Sequence, residues 1–393
     1  MTIMNIRVTF WRALFVVIMI FGLYSTYVRY LHGLGAVSHM NDQYPWGLWI
    51  GFDCLCGVML AAGGFCVTGA VYIFHVERLH SVCRPAILTA FLGYVLFIVG
   101  LLFDLGRPWF IWHQMIYMNF HSVMFEVGMC VMTYTTVLFL EFLPNVLEPF
   151  HLEAPIRWVK KIYPVLVCLG ILLSTLHQSS LGSLFLIFPE KMSPFWYTPA
   201  LPFFFFLSAI ACGLAMTIFE STLSARAFGR GLERSVMTEL GGALYVVLWI
   251  IALLRLQDFV HRHVFMTIFR GSYEAYFLWA ELTLCFVIPL TMLSFKKVRT
   301  NPHLLYLAAL STILGFVTNR LNVAVTSMDR WNGSHYLPSF TETSITLMIC
   351  ALGFFFFTMA VKFLPIFEDE HHGTPHAAPV PELAEIQQPT LVH

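Results

Sequence analysis

About ten times along this chain a run of roughly twenty apolar residues recurs, the length an α-helix needs to cross the hydrocarbon core of a bilayer. The runs lie near 11–29, 48–74, 84–104, 121–142, 158–178, 200–220, 238–258, 273–294, 303–324 and 342–364. With 58% of its 393 residues hydrophobic and 11% charged, the chain carries more apolar surface than a soluble core absorbs. The pattern predicts an all-α integral membrane protein of about ten transmembrane helices. Its net charge of zero gives no reason to expect nucleic acid as a partner. The nine cysteines are odd in number, contain no CxxC, and lie almost all in apolar runs, so they read as small buried hydrophobes. Arg7 and Arg12 precede the first run without a small-residue cleavage signature, which predicts a retained first span.

An even number of crossings puts both termini on one side. That side, with the even-numbered loops, holds Arg7, Arg12, Arg78, Arg84, Arg157, Lys160, Lys161, Arg226, Arg230, Arg234, Lys296, Lys297, Arg299 and Lys362. The other side holds only Arg29, Arg107, Lys191, Arg255, Arg262, Arg270, Arg320 and Arg330. Positive charge marks the cytoplasmic side, so both termini are expected in the cytoplasm of a bacterial inner membrane, with the Trp-, Tyr- and Pro-rich odd loops outside. The segment 107–120 reads as a helix lying in the interface. Asp104 and Glu126 flank one outward loop as Asp258 and Glu281 flank another, four helices later. This echo predicts a first helix over 1–30, a four-helix bundle over 31–178 (helices 2–5) and a second over 179–325 (helices 6–9). An outward loop and helix 10 come next over 326–364, and the Pro-, Glu- and His-rich 365–393 is expected as a disordered cytoplasmic tail.

Ionisable groups inside a span cost about 2.5–3.5 kcal/mol each at mid-helix, so their depths matter. Counted along helices at about 1.5 Å per residue, Asp53, Asp104, Glu126, His177, Arg255, Asp258, Glu281 and Arg320 all fall in the outer third of the bilayer. The inner half offers Glu141 and Glu220 near helix ends, with Thr133, Tyr134 and Thr135. The stretch TLHQSSLGSLFL places Gln178, Ser179, Ser180 and Ser183 at the depth where the others converge, with His177 and Gln178 closing helix 5. Taken singly, each has an ordinary reading: an interfacial histidine, serines capping a chain reversal, a structural ion pair between Arg255 and Asp258. Their shared depth is what points to a common pocket.

Three kinds of chemistry use such groups in a helical bundle. Haem ligation needs paired axial histidines in facing spans, and none of the sixteen histidines lies at mid-depth. Transport favours charges near the midplane. Quinone chemistry needs an apolar slot open to lipid and a His or carboxylate near the head-group oxygens, because two electrons move with two protons. His177 as head-group partner, with Asp53, Glu126, Asp104, Gln178 and Ser180 nearby and Trp46 as a wall, meets that need. Proton transfer falls to Glu126, Asp53, Glu281, Asp258, Arg255, Arg320, Glu220 and Glu141. No haem or iron–sulfur site is evident in the chain, so its electrons must come from or go to a partner. A bare membrane anchor and a redox-linked proton-translocating subunit are the rival readings.

At PWGLWIGFD, AAGG (61–64), DLGRP, HSVMFE, LHQSSLGSL and FESTL (219–223), in that order, the chain resembles the NrfD/HybB family, which includes polysulfide reductase membrane subunits. It is most similar to ten-span members of the hydrogenase (HybB) type and of the high-molecular-weight cytochrome complex (HmcC) type. The resemblance implies a haem-free subunit that binds menaquinone near its periplasmic face and docks there a ferredoxin-like iron–sulfur subunit. A hydrogenase, a molybdoenzyme or a multihaem cytochrome would stand behind that subunit. It carries the family's polar positions onto Asp53, Asp104, Glu126 and His177, and onto Glu220, Arg255 and Arg320.

Overall fold

The computed structural model describes residues 9–367 apart from 43, 45, 230 and 334. Among the described residues there is no strand, and ten helices are long and apolar enough to cross a membrane. We label them α1 (Phe10–His32), α2 (Trp49–Tyr72), α3 (Glu77–Asp104), α4 (Val123–Phe150), α5 (Glu153–Phe185), α6 (Leu201–Phe228), α7 (Arg234–His261), α8 (Tyr273–Ser294), α9 (Pro302–Asp329) and α10 (Phe340–Phe363). All ten fall on the expected apolar runs. The expected tail lies outside the described residues from 368 onward.

Loop contacts fix which ends meet. At one end Tyr44 Oη donates to Asp329 Oδ1 (2.9 Å), Ser193 N to Ser327 O (2.7 Å) and Leu48 N to Tyr336 Oη (3.0 Å), tying the odd-numbered loops together. At the other end Arg78 pairs with Glu239 (2.8 Å) and Arg84 with Glu148 (3.5 Å). We call these the loop end and the basic end.

Small residues decide how close the helices come. A Cβ on Gly213 of α6 would sit 2.7 Å from the backbone of Ala62 and Gly63 in α2, so only glycine lets these two central helices cross there. Around that crossing Met59, Ala209, Ala211, Cys212 and Ala215 are fully buried. A second cluster, toward the loop end, gathers Tyr94, Tyr134, Phe185, Trp196 and Phe205. The periphery is aromatic and aliphatic: Trp11, Phe74, Trp158, Trp249 and Phe354 are exposed, as a lipid solvent demands. The nine cysteines are free.

Two helices depart from expectation. α5 does not close at His177 and Gln178 but runs to Phe185. Ser180 Oγ bonds back to His177 O (3.0 Å) and Ser183 Oγ to Ser179 O (3.2 Å), so the serines stay helical instead of capping a reversal. α2 starts as π-helix over Trp49–Cys54, continues as α-helix to Leu60 and breaks at Ala61–Ala62. At the break Ala62 N bonds Met59 O (3.3 Å), and the side chain of Gln178 donates to Val58 O (3.0 Å), a carbonyl that an unbroken helix would satisfy itself. The expected interfacial helix over 107–120 is a shorter 3-10 helix, Pro108–Met115, exposing Trp109 and Trp112.

Candidate functional site

The π-turn that opens α2 places Asp53. Each π-turn inserts a residue relative to the α-helical frame and re-aims the side chains beyond it. Its approach is pinned from the start of α10: the Trp49 indole donates to Glu342 O (3.3 Å), Tyr336 Oη donates to Glu342 Oε1 (2.5 Å), and Ser339 with Glu342 forms a capping box. Tyr336 lies outside the spans; burial, and then the Glu342 carboxylate it faces, push its phenol well up, so it stays a donor. Asp53 is 5% exposed and accepts from Thr346 Oγ1 of α10 at 2.8 Å. Gly100 of α3 backs it, where a Cβ would sit 2.8 Å from the Asp53 Cβ.

Asp53 lines a cavity of 440 Å³ between α2, α3, α6 and α10. The walls are apolar: Phe52, Leu60, Leu92, Leu96, Phe97, Met216, Phe219, Leu223, Ile349 and Phe357. Phe228, Phe354 and Thr358 also line it and are exposed at the periphery, so the cavity is a cleft open sideways toward lipid. Asp53 is four residues from the start of α2 at the loop end. Glu220 lines the same cleft nearer the basic end and accepts from Thr89 Oγ1 at 2.5 Å; its other oxygen is buried without a partner.

His177 is not on the cleft wall. It is completely buried, and neither ring nitrogen has a hydrogen-bond partner. Its ring lies 5.5 Å from that of Tyr94 and 5.8 Å from that of Phe97, and Phe97 does line the cleft, so the imidazole stands one ring behind the wall. The hydroxyl of Tyr94 and Gln178 Oε1 are likewise buried without partners. Unpaired buried polar atoms cost about 1–3 kcal/mol each, and with His177 these groups make a polar cluster between α3 and α5 behind the apolar cleft wall.

The remaining expected residues are dispersed. Glu126 is exposed in the first turn of α4, whose cap Ser122 accepts from Phe125 N (3.4 Å). Asp104 ends α3, whose last carbonyls are covered by Arg29: Nε donates to Phe103 O (2.8 Å) and Nη2 to Leu105 O (2.6 Å). Trp46 packs on Phe185 and Phe188. Glu141 is buried on α4 beside Gly170. The others build a separate network between α6, α7, α8 and α9. Glu281 accepts from Trp196 Nε1, Asn319 Nδ2 and Asn322 Nδ2, each at 2.8 Å. Arg320, 1% exposed, donates to Ser208 Oγ (2.7 Å) and Phe205 O (3.1 Å) with its guanidinium 3.5 Å from the Phe205 ring. Arg255 and Asp258 are not an ion pair: Arg255 donates to Phe195 O (3.0 Å), and Asp258 pairs with Arg262 (2.6 Å), the residue that follows the end of α7. Thr346, Thr89, Asn319, Asn322 and Tyr94 were not singled out from the sequence, because neutral polar residues at helical spacing carry no charge signal.

A polytopic helical membrane protein with a lateral apolar cleft, a buried carboxyl at one level and a partnerless histidine behind its wall is the class these features define. The chain belongs to the NrfD polysulphide reductase family, whose model it matches over residues 36–329. It is 39% identical over 345 residues to a protein of Nitratidesulfovibrio vulgaris (strain Hildenborough), covering 85% of this chain and 88% of that one. It is 34% identical over 343 residues to the probable Ni/Fe-hydrogenase 2 b-type cytochrome subunit of Escherichia coli K12 (86% and 87%). It is 30% identical over 391 residues to the menaquinone reductase integral membrane subunit of N. vulgaris (92% and 92%). The second of these names implies haem. His177 is the one buried histidine among the described residues, its neighbouring rings are Tyr94 and Phe97, and no second imidazole faces it. The residues present do not fit a haem held by two facing histidines.

Proposed function

We propose that this chain is the quinone-reactive membrane subunit of a respiratory oxidoreductase. It would pass electrons between an iron–sulfur subunit docked on the loop end, facing the periplasm, and menaquinone or another quinone held in the lateral cleft. A hydrogenase, molybdoenzyme or multihaem cytochrome would complete the complex, with both termini of this chain in the cytoplasm. The family and the names of its relatives support quinone-linked respiration. The observation that carries the reading is the cleft itself: it opens to lipid, its walls suit an isoprenoid tail, and it reaches a buried carboxyl at the level of the loops.

The chemistry is two electrons and two protons per quinone. The electrons pass singly to or from the partner; the protons must be given or taken where the head group sits. Asp53 stands on the cleft wall to exchange one with a quinone oxygen. His177 lies behind Phe97 with both nitrogens free of partners, so its share in the proton exchange requires the Phe97 ring to turn aside and open a path to the cleft. Glu220 and Thr89 supply a polar station further along the cleft toward the basic end.

Replacing Asp53 by Asn in the assembled complex tests this. Quinone-linked turnover should fall by about 10²-fold or more, the range a positioned general acid or base supplies, while turnover of the partner subunits with an artificial electron acceptor and co-purification of the complex stay intact. Unchanged quinone-linked turnover would refute the reading.

A further inference from the structure

The region matched by the family model ends at residue 329, before α10 begins at Phe340. Yet α10 forms one wall of the cleft. We propose that α10 completes the quinone site of this chain: Thr346 is a positioning residue for the Asp53 carboxyl, and the helix face around Gly353 is the wall on which the quinone tail lies. This rests on the function proposed above.

Hydroxyls inside a helix ordinarily bond back to a carbonyl one turn earlier. α10 does this at other positions: Thr343 Oγ1 bonds Ser339 O (3.0 Å) and Thr358 Oγ1 bonds Phe354 O (2.7 Å). Thr346 instead gives its one hydrogen to Asp53 Oδ2, at 2.8 Å and in a fully packed environment, 6% exposed. A carboxyl on a π-turn, with Gly100 behind it and a single side-chain donor, has its orientation set by that donor. From Thr346 the same face continues through Ile349, Cys350, Gly353 and Phe357, a spacing of three and four residues that keeps one stripe toward the cleft. Thr346 to Phe357 spans about 16 Å of helix, room for several isoprene units beside the head group. Gly353 leaves that slot open: a Cβ there would sit 2.8 Å from Leu96 Cδ1, itself on the cleft wall of α3, so a bulky side chain has to push Leu96 aside or project into the cleft.

The test uses the assembled complex with menaquinol and with menadiol, which has the same head group and no tail. Thr346→Val should lower kcat about tenfold for both substrates with KM within about twofold, since one hydrogen bond to a charged group carries about that factor; Thr346→Ser should restore it. Gly353→Leu should raise KM for menaquinol about tenfold and leave menadiol unchanged. Valine and serine variants that fail alike, or a valine variant equal to the wild type beside an inactive Asp53→Asn, would overturn the positioning role while leaving the quinone reading standing. A Gly353→Leu effect equal for both substrates would overturn the tail wall. Full activity of Asp53→Asn would remove the parent reading as well.

Discussion

Glu281 offers the sharpest quantitative test of the packing between α8 and α9. Replacing it by alanine leaves three buried donors without an acceptor: Trp196 Nε1, Asn319 Nδ2 and Asn322 Nδ2. In a soluble core three bonds to a carboxylate would each be worth about 1.5–3 kcal/mol. Inside a membrane the partly unfolded helices also find partners, and interhelical bonds average about 0.6 kcal/mol with a maximum near 1.7. The membrane values govern here, and three bonds give a loss of about 2–5 kcal/mol. For domains of 150–250 residues 1 kcal/mol moves Tm by about 2–4 °C; at the low end of that scale, as suits this longer chain, Glu281→Ala should melt about 4–10 °C below the wild type. Glutamine discriminates further. Its oxygen can occupy the Oε2 position, which serves both Trp196 and Asn322, but its NH2 then meets the NH2 of Asn319. Asn319 cannot turn over without losing its bond from Arg320 Nη1 at 3.2 Å. One contact of three is lost, so Glu281→Gln should fall about a third as far. Thermal unfolding in detergent at one fixed scan rate, followed by tryptophan fluorescence, reads both. An alanine variant within about 1 °C of wild type, or glutamine as harmful as alanine, would refute this network.

Two further outcomes can be checked with the same material. His177→Phe removes two partnerless buried nitrogens and keeps an aromatic ring against Tyr94 and Phe97, so Tm should hold or rise while quinone-linked turnover drops at least about tenfold; unchanged turnover would reduce His177 to packing. Tyr336→Phe takes away the acceptor for Leu48 N and the donor to Glu342, and should loosen the start of α2, seen as faster amide exchange over 48–54; because the phenol's pKa is raised, the wild-type protection should persist as pH rises through neutrality and beyond the ordinary tyrosine value.

The fold was legible because apolar length is a one-dimensional signal: each run of about twenty residues became a helix. Asp53 and Glu220 were visible as charges where charge is costly. What the sequence hid was lateral position. Depth along a helix can be counted, but rotation about its axis cannot once every face is apolar, and that rotation separates Asp53 on the cleft from Glu281 in a satisfied network and from Glu126 on the periphery. π-turns compound the difficulty, since the extra residue at Trp49–Cys54, Thr283–Val287 and Asn322–Thr326 shifts the helical frame without any mark in composition. Thr346 escaped notice for a related reason: a lone threonine in an apolar run is ordinarily silent, and only the position of α2 beside it gives its hydroxyl something to hold.

The widened coil at the head of α2 makes this stretch sensitive to length more than to chemistry. Dropping one residue between 49 and 54 would let the segment relax to regular α geometry and swing everything on one side of the cut by about 100° relative to the other. The indole anchored on Glu342 and the glycine seam against α6 cannot both accommodate such a turn. A single-codon deletion there would therefore point the acid away from its slot with every functional side chain still present, whereas many side-chain exchanges in the same six positions would leave its aim intact.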